Sequence, residues 1–383
     1  MRQITTSVRL VLALVACWIV AGPALQAAPE LRSVRNAHFE VIGTDLRSVS
    51  RVNELSQIAI QISERYLEPE GLAFPLPILI RLIPEPDVDF EGDHRIQLAE
   101  RASVRLELRW GGQLTLERTC HAISEALLVQ YAIYNHGLEG GKNLRSWPVF
   151  ALSEEFYLSL RSAELVALLS RTRESDLPSL TAVVESMQAQ PTVGAASSFW
   201  LLQAIKSTGL GRAVVRGLFQ QAIAGHDIED ALVAAIQPSA SDDESLAGEV
   251  WWLRQLEALL TREYDVIEPM DASRAWLATL ARLDAPLVLE SGETRLNLRS
   301  IWTHRSDPKV MEMVQARYEI LRVRMPRMNP AYFNAARSLG VLFERILDDA
   351  PSHQYLHALA IYLSDWEDSK EMQLEVENIL NKK

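Results

Sequence analysis

Between residues 114 and 160 the sequence sets ionisable side chains inside runs that are otherwise apolar. The first run is Cys120-His121-Ala122-Ile123-Ser124-Glu125-Ala126-Leu127-Leu128, continuing to Tyr134. The second is Trp147-Pro148-Val149-Phe150-Ala151-Leu152-Ser153-Glu154-Glu155-Phe156-Tyr157-Leu158. Residues four apart share one face of a helix, so His121 and Glu125 project together, with Glu117 a turn earlier. A carboxylate in so apolar a helix is costly unless it is paired, protonated or bound to something. In the second run the register puts Glu154 with Phe150, Leu158 and Leu165, and Glu155 with Ala151, Ser159 and Ser162. Glu154 is therefore expected to point inward and Glu155 outward. An imidazole and two inward carboxylates, His121, Glu125 and Glu154, form a site for one divalent metal. The plainer reading needs no metal: His121 sits in an ion-pair stripe with Glu117, Glu125 reaches Arg118 and Glu154 reaches Arg161.

The elements around these runs follow from periodicity. Residues 38–42 alternate as a strand, and Thr44 or Asp45 can cap a helix that runs to about Tyr66. Residues 75–83, dense in β-branched side chains, read as a buried strand, followed by an acidic loop over 84–93. Residues 102–110 set Val104, Leu106, Leu108 and Trp110 against Arg105, Glu107 and Arg109, a pattern read as a half-exposed edge strand. Beyond the two central helices, helical patterns cover about 179–189, 195–207, 211–224, 228–236 and 244–260, punctuated by Gly209, Gly211, Gly225, Pro191 and Pro238. Residues 237–243 read as a linker, residues 287–298 as a hairpin around Ser291-Gly292, and four helices are expected from Pro308 onward.

This order of elements, with a helix bearing His121 and then Pro-x-Phe-x-x-x-Glu ending at Glu154, resembles the peptidase MA-like gluzincins, a group of zinc metallopeptidases. The resemblance implies that His121 matches the first histidine ligand of a His-Glu-x-x-His helix and that Glu154 matches the third ligand. It also implies a substrate groove along residues 102–110, with Arg105, Glu107 and Arg109 as binding residues. The motif itself departs from the family. Ala122 stands at the general-base position and Glu125 at the second histidine, giving His-Ala-x-x-Glu. A general base is worth roughly 10² to 10⁴ in rate, and alanine supplies none of it. A carboxylate in place of an imidazole would also make the metal a poorer Lewis acid.

The rest of the chain bounds the function. Arg2 and Arg9 precede an apolar run and a small-residue stretch ending at Ala27, the pattern of a secretory signal peptide cleaved after Ala27. Residues 14–17 also carry a lipoprotein-like box, which makes anchoring at Cys17 the minority alternative. Losing Arg2 and Arg9 takes the net charge from −12 to −14, which disfavours nucleic acid and anionic membranes as partners. No transmembrane segment follows the leader. Of the two cysteines only Cys120 lies beyond the leader, and a structural, buried thiol is expected there rather than a nucleophile. Residues 353–357, with His353 and His357, have a metal-ligand spacing, but Gln354 stands where a base would be needed. Trp251-Trp252 falls in a helical stretch, where core packing is expected.

The expected fold is α+β: a small mixed sheet with an active-site helix of the gluzincin type, then a largely helical C-terminal region. The expected segments are 1–27 (signal peptide), 28–136 (α/β), 137–262 (helical) and 263–383 (mainly helical, with the hairpin). The leading function is that of an exported, periplasmic or secreted metallopeptidase-like protein without catalysis, binding a peptide or protein partner by strand addition and using no cofactor. The alternatives are a metallohydrolase with zinc on His121, Glu125 and Glu154, and a helical interaction module in the C-terminal part.

Overall fold

The computed structural model describes residues 30–68, 71–99, 103–112, 114–236, 244–261, 267–283, 287–289, 292–294 and 296–380. The expected leader with Cys17, Ala102, the expected 237–243 linker and Ser291 lie outside the described residues.

Strands β1 (Arg32–Arg35), β2 (Phe39–Gly43), β3 (Ile78–Pro84), β4 (His94–Ala99) and β5 (Ser103–Trp110) form one mixed sheet in the order β1-β2-β3-β5-β4. Strand β3 runs parallel to both β2 and β5, whereas β1 and β4 are antiparallel at the two edges. A parallel pair needs a crossover, and helix α1 (Leu46–Glu64) supplies it between β2 and β3. Asp45 caps α1, its carboxylate accepting from the Arg47 and Ser48 amides. The inner sheet face, with Phe39, Val41, Ile78, Ile80, Val104, Leu106 and Leu108 fully buried, packs into a core shared with α1 and the next helix.

The expectation that residues 102–110 form an edge strand is corrected here. Strand β5 has both neighbours, and the free edge belongs to β4. The alternation of Val104, Leu106 and Leu108 with charged residues reports that one face of β5 is packed, which holds for interior and edge strands alike. Arg105, Glu107 and Arg109 lie on the outer face. There Glu107, 3% exposed, is held by Arg81 at 3.2 Å and Arg95 at 2.6 Å, while Arg109 donates to the Phe90 carbonyl.

Helix α2 (Leu116–Asn143) is broken at Gly137, whose φ of 73° only glycine adopts freely. Helix α3 (Ser146–Leu160) begins where Arg145 donates to the Glu185 carbonyl and the Ser146 amide to the Ser186 carbonyl. There follow α4 (Glu164–Glu174), α5 (Leu180–Glu185), α6 (Ala195–Ser207), α7 (Arg212–Ile223), α8 (Glu229–Ile236), α9 (Glu244–Thr261) and α10 (Met270–Ala281). A short hairpin, β6 (Leu287–Leu289) and β7 (Gly292–Thr294), precedes α11 (Pro308–Arg324), α12 (Pro330–Leu347) and α13 (Ser352–Leu380). Among the described residues three α-helices therefore run from Pro308 onward where four were expected, because residues 352–380 continue unbroken as α13.

The described residues from Arg32 onward form one unit with a continuous core. A buried ion pair ties its back to its front: Arg317 Nε on α11 lies 2.9 Å from Glu54 Oε2 on α1, with side chains 3% and 5% exposed. Arg317 also donates to the Leu280 and Arg282 carbonyls at 2.7 Å each. Burial raises the Glu54 pKa above its ordinary value, with Arg317 opposing.

Candidate metal centre

Three elements meet at the end of the sheet. Thr115 caps α2, and the helix buries Ala122, Ile123, Ala126 and Leu127 completely, which leaves His121 and Glu125 on the flank turned toward β4. Strand β4 pairs with β5 in the register His94↔Leu108, Ile96↔Leu106, Leu98↔Val104. Cross-strand partners share a face, so His94 lies on the inner side with Leu108 and faces the helix.

The result is a cluster of His94, His121 and Glu125, whose ligand atoms all lie within 4.8 Å of one another. His94 Nε2 donates to Glu125 Oε2 at 2.7 Å, and His121 Nε2 lies 3.7 Å from the same oxygen. All three side chains are only 17–24% exposed. Among the described residues no other His, Cys, Asp and Glu side chains form such a group.

Neighbours hold the cluster in place. Phe150 on α3 stacks on the His121 ring, centroids 5.0 Å apart at 18°. Ser153 Oγ lies 3.5 Å from His121 Nδ1 and gives its own proton to the Phe150 carbonyl at 2.9 Å. Burial raises the Glu125 carboxyl, but the bond and charge of His94, His121 and a hydrogen bond from Gln188 outweigh it and leave the pKa below the ordinary value. Burial lowers the His121 pKa, with Glu125 opposing.

Glu154 stands apart from the cluster but lines the same cavity of about 340 Å³, together with Glu117, Ser153 and Ala195. It is 4% exposed, so the inward register read from the sequence holds. Its carboxyl is pushed up to about 7, first by burial and then by the charge of Glu117, with Arg171 opposing. Glu155 faces the other way, accepting from the Tyr66 hydroxyl at 2.5 Å and pairing with Lys206.

The structure thus brings His121 and Glu125 together and adds His94, which the sequence reading missed. The signal was there: His94 is in phase with Ile96 and Leu98 in an alternating stretch. The pairings expected if no metal binds are not those seen, since Arg118 bonds Asp93 at 2.8 Å and Glu125 takes His94. Ala122, fully buried, does not line the cavity. Cys120 is buried and its thiol is pushed well up, first by burial and then by Glu154 and Glu117. His353 and His357 are exposed on α13, and Trp251 and Trp252 are core residues, 8% and 0% exposed. No family model, no curated protein and no solved structure matches this chain.

Proposed function

We propose that the chain is an exported protein with a gluzincin-like framework that binds an extended peptide or protein segment and does not hydrolyse it. The observation that carries this reading is Ala122: at the position of the family's general base stands a methyl group, fully buried and turned away from the cavity. No proton can be taken there from a bound water.

The free edge of β4 supports the binding half. The Arg109 amide donates to the Asp93 carbonyl at 2.9 Å, which puts Asp93 and Arg109 at a hydrogen-bonded position of the ladder. By the alternation of antiparallel ladders, Arg95 and Gln97 then bond inward to β5, and the amides of His94, Ile96 and Leu98 point outward. An extended segment added there would run past the mouth of the cavity. The leader-like N-terminus supports export, to the periplasm or the medium.

Leu98→Pro tests it, because proline removes an outward amide while leaving the inner ladder bonds intact. With a pool of random-sequence dodecapeptides, the wild type should retain peptides uncleaved and the variant should lose them, as read by mass spectrometry and fluorescence anisotropy. Equal retention by both proteins refutes strand addition. Cleavage that disappears in His121→Ala would replace this reading with the second one, a metallohydrolase. The second reading is favoured only by Glu154, the one carboxyl in the cavity held near neutrality.

A further inference from the structure

We propose that His94, His121 and Glu125 bind one divalent cation of the zinc class, with strand β4 rather than helix α3 supplying the third ligand. This set differs from the one the resemblance implies, and it goes beyond the binding reading above without depending on it.

The single Ser153 hydroxyl proton goes to the Phe150 carbonyl at 2.9 Å, so toward His121 Nδ1 the oxygen can only accept. At 3.5 Å the contact is at the outer limit of a hydrogen bond, and it fits the His121 tautomer with the ring proton on Nδ1. His121 Nε2 then carries a lone pair and faces the Glu125 carboxylate, 3.7 Å away. Two acceptors turned toward each other in a half-buried site repel unless a cation lies between them. His94 answers only one side of Glu125, through the 2.7 Å bond, and does not serve His121 Nε2.

Tetrahedral zinc, with bonds of roughly 2.0–2.2 Å to nitrogen and oxygen, places neighbouring ligand atoms about 3.3–3.5 Å apart. The two distances to Glu125 Oε2, 2.7 and 3.7 Å, straddle that value. All the ligand atoms lie within 4.8 Å of one another, and ligation through His94 Nε2 displaces to solvent the proton that it now shares with Glu125. Two imidazoles and one carboxylate suit zinc in charge and softness, and three protein ligands leave a fourth position open to the cavity.

Metal-ligating side chains are oriented by outer partners, and each helix ligand has one: Phe150 and Ser153 on His121, Gln188 on Glu125. Glu154 lies outside the cluster, next to like-charged Glu117.

The test uses full-length protein purified without a histidine tag, stripped with EDTA and titrated with zinc chloride by calorimetry, with bound metal counted by mass spectrometry. Expected is one zinc per chain, lost in His94→Gln and His121→Gln and retained in Glu154→Gln. X-ray absorption on the wild-type zinc protein gives a readout independent of the variants. Two imidazoles in the shell support the strand-supplied set. One imidazole with two carboxylates, or zinc lost in Glu154→Gln and kept in His94→Gln, overturns it. So does the absence of bound zinc in excess zinc when the protein keeps its cooperative thermal transition. Peptide retention measured in EDTA is a separate experiment, so failure here leaves the strand-addition reading standing.

Discussion

Replacing Glu154 with Gln should make the protein more stable at pH 8 and change little at pH 4.5. Glu154 is 4% exposed, and its carboxyl titrates at about 7 in the fold against 4.5 for the free side chain, chiefly through burial. The folded state therefore holds a proton that the unfolded chain has released between these values. Stability from this group is complete below 4.5 and is lost as pH rises toward 7. At about 1.36 kcal/mol per pH unit, the interval amounts to about 3 kcal/mol. Glutamine keeps the shape of the neutral acid and does not titrate. The stability difference between variant and wild type should then grow by about 2–3 kcal/mol in favour of glutamine from pH 4.5 to 8.

Urea unfolding of both proteins in EDTA at the two pH values measures it. His121 and Glu125, whose pKa values are lowered, titrate with the opposite sign, each losing stability as pH falls. They do so in both proteins and cancel in the comparison. A difference that stays constant from pH 4.5 to 8 would refute the argument, because it would mean that Glu154 titrates alike in the folded and unfolded chains.

Two further outcomes follow from burial. Arg317→Met leaves Glu54 charged and unpaired, with its own pKa raised by burial, and should cost about 3–5 kcal/mol in denaturant unfolding. The double variant with Glu54→Gln should recover the part of that loss that comes from the stranded carboxylate, the bonds to the Leu280 and Arg282 carbonyls staying lost, and equal losses in the single and double variants would show that the pair is not coupled. Cys120, fully buried with its thiol pushed up, should not react with a disulfide reagent in the native state. Its labelling should appear only with global unfolding, and rapid labelling under native conditions would contradict the packing of α2.

Much of the helical half was legible because its signals are local. Residues 195–207 read as a helix from spacing alone and form α6 (Ala195–Ser207), while Gly209 and Gly225, read as punctuation, have φ of 72° and 86°. The Asp45 cap is likewise a neighbour effect. Sheet order is not local. Alternation in β5 tells which face is packed, but whether β4 lies beyond it depends on a pairing that the pattern of one strand does not contain. The centre divides in the same way. His121 and Glu125 share a helix face four residues apart, so their meeting could be read directly. His94 reaches Glu125 across 31 residues of sequence, and only the His94↔Leu108 register turns it inward.

Glu125, in the cluster, and Glu154, in the cavity beside it, are two largely buried acids held by opposite means. Burial raises both. Glu125 is brought back below its ordinary value by His94, His121 and Gln188, so it remains a charged ligand. Glu154 has Glu117 beside it and only Arg171 to oppose, so it titrates near neutrality. A cation on Glu125 and the two histidines would therefore add positive charge to a cavity that Glu154 also lines, and would favour its ionised form. Repeating the Glu154→Gln comparison in saturating zinc should narrow the pH-dependent difference seen in EDTA. If the centre takes up metal and that difference does not narrow, the cation and Glu154 do not interact across the shared cavity.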